Sequence, residues 1–211
     1  MTEVRVSFPT PDGLALEGLL SRGETGRGGI LLCHPHPLYG GDMYNNVIGG
    51  VQGALVQGGF STLRFNFRGV GGSGGGYGEG VGEMEDVRGA VDFFMTELGA
   101  DVPLYLLGYS FGAYVGVKGV AADERVKVLI CISPPVAMYD FAALKEEKRP
   151  ILIISGEGDM VCPVGPVKEL YLSLPQPKTL HIIPGVDHFW WGMEDRVADY
   201  VIDFLLGLER G

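Results

Sequence analysis

The sequence predicts an α/β fold built on one mostly parallel sheet. Three observations lead there. Six short, continuously apolar runs recur along the chain: Ile30–Cys33, Thr62–Phe67, Leu104–Tyr109, Val126–Ile132, Ile151–Ser155 and Thr179–Ile183. Runs of this kind suit strands buried on both faces. Segments with helical periodicity lie between them, and strands that alternate with helices imply parallel crossovers. No linker, repeat or composition break divides the 211 residues, so one domain over 1–211 is expected.

The elements follow in order. Val4–Phe8 alternates apolar and polar residues, Pro11-Asp12-Gly13 supplies turn chemistry, and Leu14–Leu20 resumes the alternation. These first two strands are expected to pair antiparallel. Tyr44–Val56 is a helical segment weakened by Gly49, Gly50 and Gly53. Val81–Leu98 is stronger, with Met84, Val87, Val91, Phe94 and Leu98 at three- to four-residue spacing. Phe111–Ala122 follows the third apolar run. Pro163–Leu174 and Glu194–Leu206 close the series, the last carrying an apolar stripe of Val197, Val201, Phe204 and Leu205. The expectation is an eight-stranded sheet with helices on both faces.

Composition excludes several functions. The 35 glycines have no three-residue period, which removes a collagen-like chain, and the recurring apolar runs remove intrinsic disorder. Sixteen basic against 26 acidic residues give a net charge of −10. The densest basic cluster, Lys145–Arg149, contains Glu146 and Glu147. Neither a nucleic acid nor an anionic membrane is an expected partner. Cys33, Cys131 and Cys162 make no regular disulfide framework, and the N-terminus lacks the signal-peptide pattern. A cytoplasmic location is therefore expected. An edge strand or an apolar patch leaves a homodimer open.

The sharpest chemical signal is Gly108-Tyr109-Ser110-Phe111-Gly112, a G-x-S-x-G pattern with an apolar run before it and a helical segment after it. A serine on so tight a turn has strained backbone angles, and side chains two residues to either side would collide with the adjoining strand or helix. Its hydroxyl then stands above the sheet at the amino end of a helix, where developing negative charge is favoured. A carboxylate and a histidine follow in the required order. Asp159 lies just past Ile151–Ser155, 49 residues after Ser110. His188 lies in the loop beyond Thr179–Ile183, 29 residues after Asp159. Asp187 and Asp140 are weaker candidates for the acid, because neither begins a turn at a strand end.

At these residues, from about Ile30 to Leu206, the chain resembles the α/β-hydrolase superfamily. His34-Pro35-His36-Pro37 is similar to that family's HGxP oxyanion loop, with Pro35 in place of glycine. Asn66-Phe67-Arg68-Gly69-Val70-Gly71-Gly72-Ser73 is similar to its D-x-R-G-x-G-x-S turn, with Asn66 in place of aspartate. The string from His34 to Gly41 resembles small bacterial hydrolases related to dienelactone-hydrolase-like enzymes. The resemblance implies general esterase or hydrolase activity. It also implies an open site, since only Val136–Arg149 occupies the place where larger relatives insert a lid.

The roles follow from this arrangement. His188 would take the Ser110 proton and Asp159 would orient the imidazole, with a small acyl compound as substrate. The backbone N–H of Phe111 is one expected oxyanion donor. Pro35 and Pro37 have no N–H, which leaves His36, Leu38 and Tyr39 for the other, and the resemblance points to His36. Leu38, Tyr39, Tyr109, Pro135, Phe189 and Trp190 are the candidate pocket residues, with Met43, Tyr44, Pro134 and Trp191 nearby. A serine at the elbow sets aside the cysteine of a dienelactone-type site and the aspartate of a haloalkane-type site.

Competing readings are weaker. Gly69–Gly74 formally matches G-x-G-x-x-G, but the following helix starts near Val81, outside the motif. That stretch is expected instead to be a mobile surface loop near the site. His34 and His36 share a face but lack further ligands at a recognisable spacing, and His181 is expected to be structural. No cofactor and no metal are expected. The leading expectation is a serine hydrolase for small or short-chain carboxylic esters. The alternatives are a thioesterase, lactonase or peptidase using the same triad, or a non-catalytic binding protein on this fold.

Overall fold

A computed structural model describes residues 3–24, 27–99 and 101–208. The strands are β1 (Glu3–Pro9), β2 (Ala15–Ser21), β3 (Gly29–Cys33), β4 (Ser61–Phe65), β5 (Leu104–Tyr109), β6 (Val126–Ile132), β7 (Ile151–Gly156) and β8 (Lys178–Ile183). The helices are α1 (Asn46–Gln57), α2 (Val81–Leu98), α3 (Phe111–Gly119), α4 (Val164–Ser173) and α5 (Glu194–Leu208). One eight-stranded sheet runs in the order β1-β2-β4-β3-β5-β6-β7-β8. β2 is antiparallel to both β1 and β4, and every other pairing is parallel.

The continuous apolar runs are explained by a core on each face of the sheet. In β3, Ile30 and Leu32 face α1 and α5, while Leu31 and Cys33 face α2 and α3. Period-two alternation sends successive side chains to opposite faces, and here both faces are dry. Only the edges break the pattern. β1 is largely exposed and β8 is half-buried. His181 on β8 stacks on Tyr200 of α5 at 4.1 Å, the structural role expected of it.

Element ends differ from the sequence pattern for local reasons. Beyond Phe65 one more bond links Asn66 to Glu17 of β2, and the chain then leaves the sheet as the Phe67 N–H donates to the His34 ring. α1 starts at Asn46 because the Asn45 side chain accepts the Val47 N–H and caps the helix. α3 ends at Gly119, where the Val120 N–H closes back onto Gly116 and Lys118 carbonyls.

The glycine-rich stretch after β4 is tied down rather than a free loop. The Gly72 N–H donates to Glu17, and the Gly74 N–H donates to the Ala15 carbonyl. The N–H groups of Gly78 and Gly80 both donate to the buried Glu83 carboxylate. Arg68 binds Asp86 and Asp12, and its own N–H donates to Asp86. Between β6 and β7 there is no inserted lid, only a short 3-10 turn over Ala142–Glu146. No helix among the described residues is long and apolar enough to cross a membrane.

Candidate active site

Ser110 sits between β5 and α3 with φ 53° and ψ −120°, a positive φ that a non-glycine residue adopts only under constraint. Two glycines impose that constraint. A Cβ on Gly108 would lie 2.4 Å from the Gly112 carbonyl oxygen, and one on Gly112 would lie 2.2 Å from the Cys33 carbonyl oxygen. The first glycine lets α3 close against its own strand. The second lets the helix approach the end of β3, where the His34–Pro37 loop begins.

The acid and the histidine meet as the strand order brings β7 beside β8. Nδ1 of His188 lies 2.8 Å from Oδ2 of Asp159, and both groups are buried. The other carboxylate oxygen, Oδ1, accepts the N–H groups of Val161 at 3.0 Å and Cys162 at 2.7 Å. Burial pushes the Asp159 carboxyl up. Hydrogen bonds from His188, the Cys162 N–H and Ser133 outweigh this and hold it below the ordinary carboxylate value. Asp187 and Asp140 are exposed and spend their carboxylates on the backbone N–H groups of Phe189 and Ala142. Of the three carboxylates, Asp159 is the one hydrogen-bonded to His188.

Three contacts around the site have no signature in the sequence. The Tyr109 hydroxyl donates to the His188 carbonyl at 2.5 Å, fixing the histidine loop to the residue before the serine. Ser133, at the end of β6, accepts from Trp190 Nε1 at 3.1 Å and also supports Asp159. Cys162 lies beside Ser110. Burial pushes its thiol up to about 12, the Asp159 charge adds to this, and the Ser110 hydroxyl offsets part of it. Only knowledge of which strand ends are neighbours could have revealed them.

The His34–Gly41 loop is rigidly built. His34 is buried, with Nδ1 at 2.6 Å from the Pro35 carbonyl and Nε2 accepting the Phe67 N–H. Burial lowers its imidazole to about 4, so the ring is neutral. His36 precedes a 3-10 turn over Pro37–Tyr39. The Leu38 N–H donates to His36 Nδ1, and the Tyr39 N–H donates to the His36 carbonyl. Both N–H groups are therefore spent, and His36 is the candidate left to donate from this loop. The His36 ring packs on Phe111 with centroids 4.5 Å apart, and Nε2 lies 3.2 Å from the Tyr77 hydroxyl. These contacts set the loop directly over the helix that carries Phe111.

A cavity of about 480 Å³ opens above β5 and is lined by both Ser110 and His188. His36, Tyr39, Tyr109, Phe111, Pro135 and Phe189 line it, joined by Asn45, Met138, Tyr139 and Val161. Two expected pocket residues are elsewhere. Leu38 projects into solvent on the outer side of the 3-10 turn. Trp190 has φ 60°, which turns its ring away from the cavity into the core beneath α5. Met43 is buried against Asn66, Tyr44 lies exposed over Arg64, and Trp191 is exposed, so none of these three lines the cavity. A larger hollow of about 770 Å³ near Lys145–Arg149 is open and lined by charged side chains, remote from Ser110.

Residues 30–146 match the Hydrolase_4 family, described as serine aminopeptidase, S33. The chain belongs to this family of α/β serine hydrolases. The hydrolase is similar to an α/β serine hydrolase homologue from Coxiella burnetii, with 36% identity, a TM-score of 0.89, and coverage of 97% of this chain and 98% of that one. It is also similar to an α/β serine hydrolase without lid from Xanthomonas campestris, with 29% identity, a TM-score of 0.87, and coverage of 98% and 94%. An uncharacterized protein of Rickettsia prowazekii is 33% identical to the hydrolase, covering 97% of this chain and 90% of that protein.

Proposed function

We propose that this hydrolase cleaves small or short-chain carboxylic esters through an acyl-enzyme on Ser110. The observation that carries the reading is the 2.8 Å bond between His188 and Asp159 at an apolar cavity that Ser110 also lines. With Nδ1 committed to Asp159, Nε2 is the nitrogen left to take the serine proton. Oγ of Ser110 attacks the acyl carbonyl, and the oxyanion is received by the N–H groups of Phe111 and His36. The imidazolium gives its proton to the departing alcohol. Water, deprotonated by the same imidazole, then releases the acid and restores Ser110.

The cavity supports an uncharged substrate. Among the described residues no Asp, Glu, Lys or Arg lines it, so an anionic acyl group would be buried without a partner. Its volume of about 480 Å³ suits a small ligand, and the absence of a lid leaves the aromatic rim of Tyr39 and Phe189 open to solvent.

Covalent labelling with a fluorophosphonate tests the reading, with the modified residue mapped by mass spectrometry and Ser110→Ala as control. Labelling confined to Ser110, with turnover of p-nitrophenyl acetate, is expected. A folded protein that takes up no label would overturn the activated serine. Strong preference for thioesters, lactones or aminoacyl amides in a substrate panel would replace the ester assignment while keeping the triad.

A further inference from the structure

Cys162 is a buried thiol that hydrolysis, as proposed above, has no task for. It follows the Asp159 turn and precedes α4. An Asp159 carboxylate oxygen, the Cys162 sulfur and a His188 ring nitrogen all lie within 4.8 Å of one another. Each residue is buried, and the cavity lined by Ser110 and His188 gives access from solvent. The other cysteines do not join them, since Cys33 and Cys131 lie in the core packed against one face of the sheet. Nor do His34 and His36, whose four ring nitrogens are all engaged within the loop or with its neighbours.

One thiol, one imidazole and one carboxylate form the donor set of a borderline-soft divalent cation. Metal–ligand bonds of about 2.0–2.3 Å place tetrahedral donors roughly 3.5 Å apart, so the set closes around a cation once the three side chains shift and the His188–Asp159 hydrogen bond opens. A sulfur donor selects zinc or cadmium over magnesium and calcium, which prefer oxygen. Three protein donors leave the fourth position for water or for the Ser110 hydroxyl beside Cys162.

We propose that Asp159, Cys162 and His188 form an inhibitory site for a thiophilic divalent cation, zinc or cadmium. Coordination releases the thiol proton to solvent and forms the metal–sulfur bond. No electrons are transferred and no further reactant is needed. A cation held by the His188 imidazole and the Asp159 carboxylate either displaces the hydrogen bond between them or takes the nitrogen left for the serine proton, so the base is lost while metal is bound. Inhibition rests on the reading of His188 as the base, whereas binding does not.

The experiment titrates metal-free wild-type protein with cadmium chloride and follows the ultraviolet thiolate-to-cadmium charge-transfer band. The band is expected to saturate at one equivalent, with hydrolysis of p-nitrophenyl acetate falling in step and a chelator reversing both. Cys162→Ala, verified as folded by circular dichroism, should lose the band and need roughly tenfold more cadmium or greater for half-inhibition. Anomalous scattering from a cadmium-soaked wild-type crystal gives a location without any variant. Absence of the band, its persistence in folded Cys162→Ala, or an anomalous peak away from these three residues overturns the site. A normal band on a protein that never hydrolyses esters would remove the esterase reading and leave the metal site intact.

Discussion

The Tyr109 hydroxyl donates to the backbone carbonyl of His188 at 2.5 Å. It joins the residue immediately before Ser110 to the loop that carries His188, the proposed base. Strand β5 is central in the sheet, whereas the His188 loop follows the edge strand β8. The bond therefore fixes a side chain on the less supported element relative to the better supported one. Tyr109→Phe retains the ring and removes only the donor. A neutral hydrogen bond contributes about 1 kcal/mol, so kcat should fall roughly fivefold with the fold intact. Steady-state kinetics with p-nitrophenyl acetate reads this, and the loss should fall on kcat rather than on KM.

Asp159→Asn is expected to be far more costly. The amide can offer N–H where Nδ1 of His188 needs an acceptor, which favours the wrong tautomer or breaks the 2.8 Å contact. A loss in kcat of about 10⁴ follows from the tautomer argument. Asp187→Asn should leave the rate within about twofold of wild type, since its carboxylate is exposed and caps the Phe189 N–H. Equal losses in the two variants would move the acid to another residue.

The strands, the glycine-flanked serine turn and the positions of Asp159 and His188 past strand ends were legible because each is local. An apolar run, a glycine two residues from a serine, and a polar residue at a strand end are all read within a few positions. The groups that support the site were not legible, because they depend on neighbours in space. Ser133 serves Asp159 only because β6 lies beside β7, and Cys162 reaches Ser110 only across the sheet end. Trp190 illustrates the converse. It is two residues from His188, yet φ 60° sends its ring into the core with Val197 and Val201. Adjacency in sequence does not fix the direction of a side chain in a loop. Leu38 fails for the same reason, since the 3-10 turn carries Tyr39 over the cavity and Leu38 outward.

His34 should make stability depend on pH. Burial lowers its imidazole from 6.5 to about 4 in the folded protein, while the Pro35 carbonyl works the other way. The unfolded chain therefore binds a proton that the folded chain refuses between those two values. This contribution is complete above pH 6.5 and is lost as pH falls through that window towards about 4. The shift corresponds to something on the order of 3 kcal/mol. Urea denaturation at pH 7.0 and again near pH 4.5 measures it. His34→Gln should be less stable than wild type at neutral pH and should lose less on acidification. An unchanged pH dependence in the variant would assign the effect to other groups.

Glycines in this chain serve opposite purposes, and alanine substitution separates them. At Gly112 a Cβ would meet the Cys33 carbonyl oxygen at 2.2 Å and the His34 carbonyl oxygen at 2.5 Å, both backbone atoms that cannot swing aside. Gly112→Ala must push α3 away from β3, which displaces Ser110 and the His36 loop together. A loss of at least about 2 kcal/mol is expected, with activity falling by more than stability alone accounts for. At Gly53, within α1, a Cβ would meet nothing within 4 Å. Alanine there removes only the backbone entropy penalty of glycine in a helix, so Gly53→Ala should stabilise by roughly 0.5–1 kcal/mol with normal activity. Urea midpoints of the two variants, measured beside ester turnover, check both signs at once. Stabilisation by Gly112→Ala would show that the elbow tolerates the side chain that its geometry forbids.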